Sequence, residues 1–112
     1  MRIKKEINND IIILTISKRM VNDQSTLKLY PYVKDLIDNG QRKIVVDMGK
    51  VRFFSSNGLA SLLASYASLN KVEGDLRIVQ PSSRIRNLLK YTQVDKIFKI
   101  YASVENAIDS YS

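Results

Sequence analysis

Ile44-Val45-Val46-Asp47-Met48-Gly49-Lys50-Val51-Arg52-Phe53-Phe54-Ser55-Ser56-Asn57-Gly58-Leu59-Ala60-Ser61-Leu62-Leu63 contains a strand, a turn and a helix in succession. Residues 43–48 form an apolar, β-branched run of strand length that ends at Gly49-Lys50. Such a run reads as a strand buried on both faces. A short apolar stretch follows over 51–54. Beyond the polar cluster 55–58, Leu59, Leu62, Leu63, Tyr66 and Leu69 keep spacings of three and four, with Ala60, Ala64 and Ala67 between them. That spacing predicts an amphipathic helix. A buried strand leading through a tight turn into such a helix is the building unit of an α/β sheet.

The same alternation extends both ways. Upstream, residues 2–7 alternate polar and apolar, Asn8-Asn9-Asp10 is a turn cluster, and residues 11–16 are nearly all apolar. Asn and Asp tolerate left-handed backbone, so a hairpin is predicted. A polar connection over 17–23 leads to Asp23 or Ser25 as a helix cap. Leu27, Tyr30, Val33, Leu36 and Ile37 then follow helical spacing up to Asn39-Gly40. Pro31 lies inside this pattern and predicts a kink. Downstream, Glu73-Gly74-Asp75 breaks the central helix, Leu76-Arg77-Ile78-Val79 reads as an inner strand, and Pro81 stops it. Ser82 or Ser83 caps a helix carrying Ile85, Leu88 and Leu89. Residues 96–101 read as a last strand, and Ser103 caps a helix with Val104, Ala107, Ile108 and Tyr111. The order is β-β-α-β-α-β-α-β-α. It predicts one α/β domain over 1–112: a mostly parallel central sheet with an N-terminal antiparallel edge hairpin, flanked by four helices.

Composition narrows the function. The 112 residues include no Cys, no His and no Trp. Thiolate chemistry, Ser-His-Asp sites and the commonest metal ligands are therefore excluded within this sequence. The four glycines, Gly40, Gly49, Gly58 and Gly74, lie far apart, so neither a P-loop nor a dinucleotide fingerprint is present. Asp35 and Asp38 read as a solvated helix face, and Asp10, Asp23 and Asp47 come from separate strand ends or loops. A binding protein is expected rather than an enzyme, with no cofactor and no metal. The basic N-terminus runs into acids and amides, and the longest apolar run is 11–14, so neither a signal peptide nor a membrane helix is expected and the location is read as cytoplasmic. The net charge of +7 is spread along the chain. It reads as solubility or steering toward an acidic partner, with no direct nucleic-acid binding expected.

Ser55-Ser56-Asn57-Gly58 is the feature with most chemical content. It stands at a helix N-terminus, where backbone N–H groups lack helical partners and the dipole is positive. One reading is an N-cap formed by Ser55, Ser56 or Asn57. The other is a place well suited to receive a phosphate. Lys50 and Arg52 flank this turn and suit recruitment of an acidic partner.

The quoted stretch resembles the signature of STAS domains, the family of anti-sigma factor antagonists and of cytoplasmic domains of sulfate transporters. The family pattern is an apolar strand, an Asp, a short turn, an apolar-Phe pair and then Asp-Ser-Ser/Ala-Gly-Leu opening a helix. Residues 80–89, 94–98 and 103–108 resemble its later segments. The resemblance implies that Ser56 is the phosphoacceptor, with Ser55, Asn57 and Gly58 around it at a partner-binding surface. Ser55 stands where the family has Asp. A second family Asp, in the loop after the second strand, falls at Val21 or Asn22, with Asp23 just beyond as the counterpart. The resemblance further implies partner switching. The unphosphorylated domain binds an anti-sigma factor that is also a serine/threonine kinase of the GHKL type. Phosphorylation breaks the contact, and a PP2C-type phosphatase restores it. The alternative is a STAS subunit that docks on a transport or stress-signalling complex without being phosphorylated.

Overall fold

The computed structural model describes residues 2–17, 29–51 and 56–111. Strand β1 (Arg2–Asn8) turns through Asn9-Asp10 into β2 (Ile11–Ser17), paired antiparallel from Asn8↔Ile11 outward. Asn9 takes φ 57°, the left-handed backbone that a two-residue hairpin demands. Strands β3 (Lys43–Lys50), β4 (Asp75–Val79) and β5 (Lys99–Tyr101) then add in parallel, giving the sheet order β1-β2-β3-β4-β5.

Each parallel neighbour is reached by a crossover helix. Crossovers of one hand between adjacent strands deposit their helices on one face. Helices α1 (Leu29–Asp38), α2 (Ser56–Lys71) and α3 (Ser83–Tyr91) accordingly pack against Ile12, Leu14, Ile16, Ile44, Val46, Met48, Leu76 and Ile78. Helix α4 (Val104–Asp109) covers Ile11, Ile13, Val45 and Val79 on the opposite face. Strand β2 is apolar at successive positions because both of its faces are roofed.

The ends of the helices follow their sequence. The Gly40 N–H donates to the Ile37 carbonyl and the Gln41 N–H to the Leu36 carbonyl, with Gly40 at φ 90°. This is the paired C-terminal closure that glycine supports. The hydroxyls of Ser82 and Ser103 accept from the Ile85 and Asn106 N–H groups and cap α3 and α4.

Helix α1 is described over Leu29–Asp38 and holds Pro31 within that span. The expected kink at Pro31 depends on the chain upstream of Leu29, which lies outside the described residues. The neighbouring Tyr30 N–H donates across to Ser61 Oγ at 3.0 Å. The reading of Asp23, Ser25 and Leu27 as an upstream helical extension lies outside the described residues. The last strand begins at Lys99, not residue 96. Val94–Lys96 form a 3₁₀ turn, and the Phe98 N–H donates to the Val94 carbonyl at 3.1 Å. Val94 and Phe98 thereby bury on one side, at 6% and 3% exposure, through a helical turn rather than strand alternation.

Candidate functional site

Strands β2, β3 and β4 all end at the same edge of the sheet, and α2 begins there. Ser17 and Lys50 are register partners at the ends of β2 and β3. The connections leaving these strands therefore start side by side. Lys50 is exposed at this edge.

The end of β3 is shaped by local hydrogen bonds. The Asp47 Oδ1 accepts the Gly49 N–H at 2.9 Å, and the Val51 N–H donates to the Met48 carbonyl at 3.0 Å. Val51, 2% exposed, anchors the chain in the main core. A Cβ on Gly49 would stand 2.6 Å from the Gln80 Oε1, so the end of β3 touches the residue that follows β4.

Ser56 is the first residue of α2, and Ser56 and Asn57 are both exposed, while Gly58 faces inward and is buried. No acidic side chain occupies the first turn of α2, and Lys71 closes its last turn. An added negative charge at Ser56 would meet the positive end of the helix dipole without a carboxylate in that turn to repel it. The structure thus brings Ser56, Asn57 and Gly58 together in one helical turn and sets Lys50 on the same sheet edge. Ser55, Arg52 and Asp23 lie outside the described residues.

The sequence reading missed how α2 is seated. Its spacing pointed to the leucine stripe, and Leu62 and Leu69 are fully buried, but so are Ser61 and Ser65 at 4% and 0% exposure. Ser65 Oγ donates to the Ser61 carbonyl at 2.8 Å while Ser61 Oγ receives Tyr30. These hydrogen bonds are what make two buried hydroxyls acceptable. The available signal was Gly58-x-x-Ser61-x-x-x-Ser65, small residues on one helix side that admit a neighbouring helix.

The remaining acids have local employment. Asp10 Oδ2 lies 3.1 Å from Lys43 Nζ, and this hydrogen bond holds the Asp10 carboxyl below its ordinary pKa. Asp75 Oδ2 takes Arg77 Nε at 2.9 Å. Arg77 belongs to a strand whose sequence reads as inner, and its charge is buried with it. It is 8% exposed beneath α4, its guanidinium lies 3.9 Å from the Tyr111 ring centroid, and it donates to Ser110 Oγ. Burial opposes its charge, yet the Asp75 hydrogen bond and the nearby tyrosines leave its pKa raised. The Tyr111 hydroxyl sits 3.0 Å from both the Ile44 and Asp75 carbonyls, clasping α4 to the starts of β3 and β4.

Comparison with known proteins agrees with this architecture. The STAS domain family model matches residues 2–107, and the chain belongs to that family. A Thermotoga neapolitana protein, provisionally named an anti-sigma factor antagonist, is 25% identical over 104 residues, covering 93% of this chain and 92% of that one. A Thermotoga maritima structure, provisionally named in the same way, superposes with a TM-score of 0.88 at 23% identity over 96% of this chain and 92% of that one. The Bacillus cell fate determinant SpoIIAA in its phosphorylated form superposes with a TM-score of 0.79 at 17% identity over 99% of this chain and all of its own, 100%. The mixed sheet with one antiparallel edge pair is the fold they share. No helix among the described residues is long and apolar enough to cross a membrane.

Proposed function

We propose that this protein is an anti-sigma factor antagonist that works by partner switching, with Ser56 as its phosphoacceptor. The unphosphorylated domain presents the start of α2 to an anti-sigma factor that is also a GHKL-type serine/threonine kinase. That binding frees the sigma factor. The observation that carries this reading is the exposed hydroxyl-bearing Ser56 in an acid-free first turn of α2, and the resemblance to the family signature is what assigns it the phosphoacceptor role. The names borne by relatives of similar length support the general role.

The release step follows from charge. A phosphate brings about −1.5 to −2 charges. The free domain tolerates it at the dipole's positive end, whereas a packed interface must desolvate it. Phosphorylation therefore disfavours the complex without unfolding the domain. Lys50 steers an acidic partner toward this edge, its place beside the turn in the sequence gives Arg52 the same role, the family resemblance assigns Asp23 to partner binding, and a PP2C-type phosphatase resets the switch. ATP belongs to the kinase, and this chain acts by binding alone in the cytoplasm.

Ser55 in place of the family's acid favours a second reading, a STAS subunit that docks on a transport or stress-signalling complex and is never phosphorylated. Mass spectrometry of the protein isolated from its native host, with its co-purifying partners, separates the two. The switch predicts one phosphate on Ser56 and an accompanying kinase-like ATPase. A Ser56→Ala protein should then remain partner-bound throughout. Absence of phosphate under every growth condition, with a transporter or scaffold protein bound instead, overturns the switch.

A further inference from the structure

The region from α3 to β5 has an unusual distribution of charge and apolar surface. Five cations, Arg84, Arg86, Lys90, Lys96 and Lys99, and one acid, Asp95, lie between residues 83 and 101, so this stretch carries a net +4 of the chain's +7. The region also exposes apolar surface. Among the described residues the large exposed hydrophobics are Ile7, Tyr91 and Ile97, and the last two sit here at 89% and 46% exposure.

A groove lies within this stretch. It holds about 350 Å³ and is lined by Arg86, Lys90, Asp95, Phe98 and Ile100. Arg86 and Lys90 are four apart on α3 and share a helix face. Phe98 is fixed in the floor by an edge-on contact with Tyr66, with ring centroids 5.1 Å apart. Tyr91 and Ile97 are the chain neighbours of the lining residues Lys90 and Phe98. Buried Phe98 with Ile100 beneath Arg86 and Lys90 combines an aromatic floor with cations at the rim, as protein-binding patches do.

We propose that this groove is a second docking surface, which receives an acidic segment of a partner protein through an apolar anchor residue. The anchor lies against Phe98 and Ile100, and a carboxylate on either side of it engages Arg86 and Lys90. Charge complementarity selects an acidic occupant. Concavity selects an inserted segment over a bilayer, since α3 has already spent its apolar face, Ile85 and Leu89, on the core. Asp95 on the lining would also repel a uniformly anionic surface while leaving a mixed segment free to place its charges. None of the lining residues belongs to α2, so the groove is built from different residues than the Ser56 turn. The proposal includes that a partner held here stays bound whatever the state of Ser56.

The test is amide chemical-shift mapping of the full chain with a synthetic peptide of glutamates surrounding one leucine-phenylalanine pair. The control peptide carries glutamine in place of each glutamate. The expected result is saturable shifts centred on Arg86, Lys90, Asp95, Phe98 and Ile100, weakening several-fold as salt is raised. The Arg86→Glu/Lys90→Glu variant, checked for an unchanged melting temperature, should lose at least about tenfold in affinity. Ser56→Asp should leave the map unaltered. Three results would each overturn the proposal. One is no localised shift with the acidic peptide. Another is shifts spread equally over Lys4, Lys71 and the other surface cations. The third is a response of these residues to phosphatidylglycerol vesicles but not to the peptide. Loss of peptide binding in Ser56→Asp would overturn the independence of the two surfaces.

Discussion

The Asp47 carboxylate and Gly74 illustrate two residues whose value lies in a single contact. Asp47 Oδ1 accepts the Gly49 N–H in the turn leading to Ser56. Asp47→Ala deletes that acceptor and should lower stability by about 1 kcal/mol in urea unfolding, with Asp47→Asn keeping most of it. Gly74 is held in place by contact rather than by backbone conformation. A Cβ there would lie 2.6 Å from the Arg42 carbonyl oxygen and 2.9 Å from Leu69 Cδ2. Gly74→Ala should therefore cost about 1–3 kcal/mol, because backbone cannot retreat as a flexible side chain can. At this scale the sequence was legible only where geometry is local. Ser82 and Ser103 were readable as caps, whereas the buried pairing of Ser61 with Tyr30 spans two helices and left only a pattern of small residues.

At the scale of elements, α2 ends in a closure that its sequence does not favour. The Gly74 N–H donates to the Leu69 carbonyl and the Glu73 N–H to the Asn70 carbonyl, which leaves Glu73 at φ 62°. A side chain in that left-handed position costs about 1–2 kcal/mol, part of which glycine returns as unfolded-chain entropy. Glu73→Gly should raise stability by about 1 kcal/mol, read as a higher urea midpoint at unchanged slope. The adjacent glycine substitution thus has the opposite sign, although both residues belong to one turn. Helix α4 spans only Val104–Asp109. It is too short to stand on propensity alone, so its cap and its clasp hold it. Ser103→Ala should cost about 1 kcal/mol by thermal melting.

For the whole molecule, the clasp under α4 makes stability depend on alkaline pH. Burial, reinforced by the Asp75 charge, raises the Tyr111 pKa in the folded chain. An unfolded tyrosine ionises near pH ~10. Because the folded value is the higher one, the stabilisation is complete below the unfolded value and is lost as pH rises toward the folded one. Stability should thus decline from about pH 10 upward. Tyr111→Phe forfeits the hydroxyl's contacts with the Ile44 and Asp75 carbonyls, so it should be less stable at neutral pH by about 1–2 kcal/mol. It should also close that gap with the parent as pH rises past about 10. Urea unfolding at neutral and alkaline pH compares the two directly.

The sequence by itself determined the class and order of the elements. Apolar runs of strand length, leucines at helical spacing and Asn, Gly and Ser at the breaks are local signals, and handedness leaves few ways to join them. It also placed the start of α2 within Ser55-Ser56-Asn57-Gly58. Tertiary structure decided what depends on which surfaces meet. It buried Arg77 under α4 against Tyr111, and it wound Val94–Lys96 into a turn so that Val94 and Phe98 could both reach the core. It also set Arg86 and Lys90 of α3 beside Phe98 and Ile100 in one groove. None of these follows from periodicity, because each is settled by a contact between segments that the chain folds together from a distance.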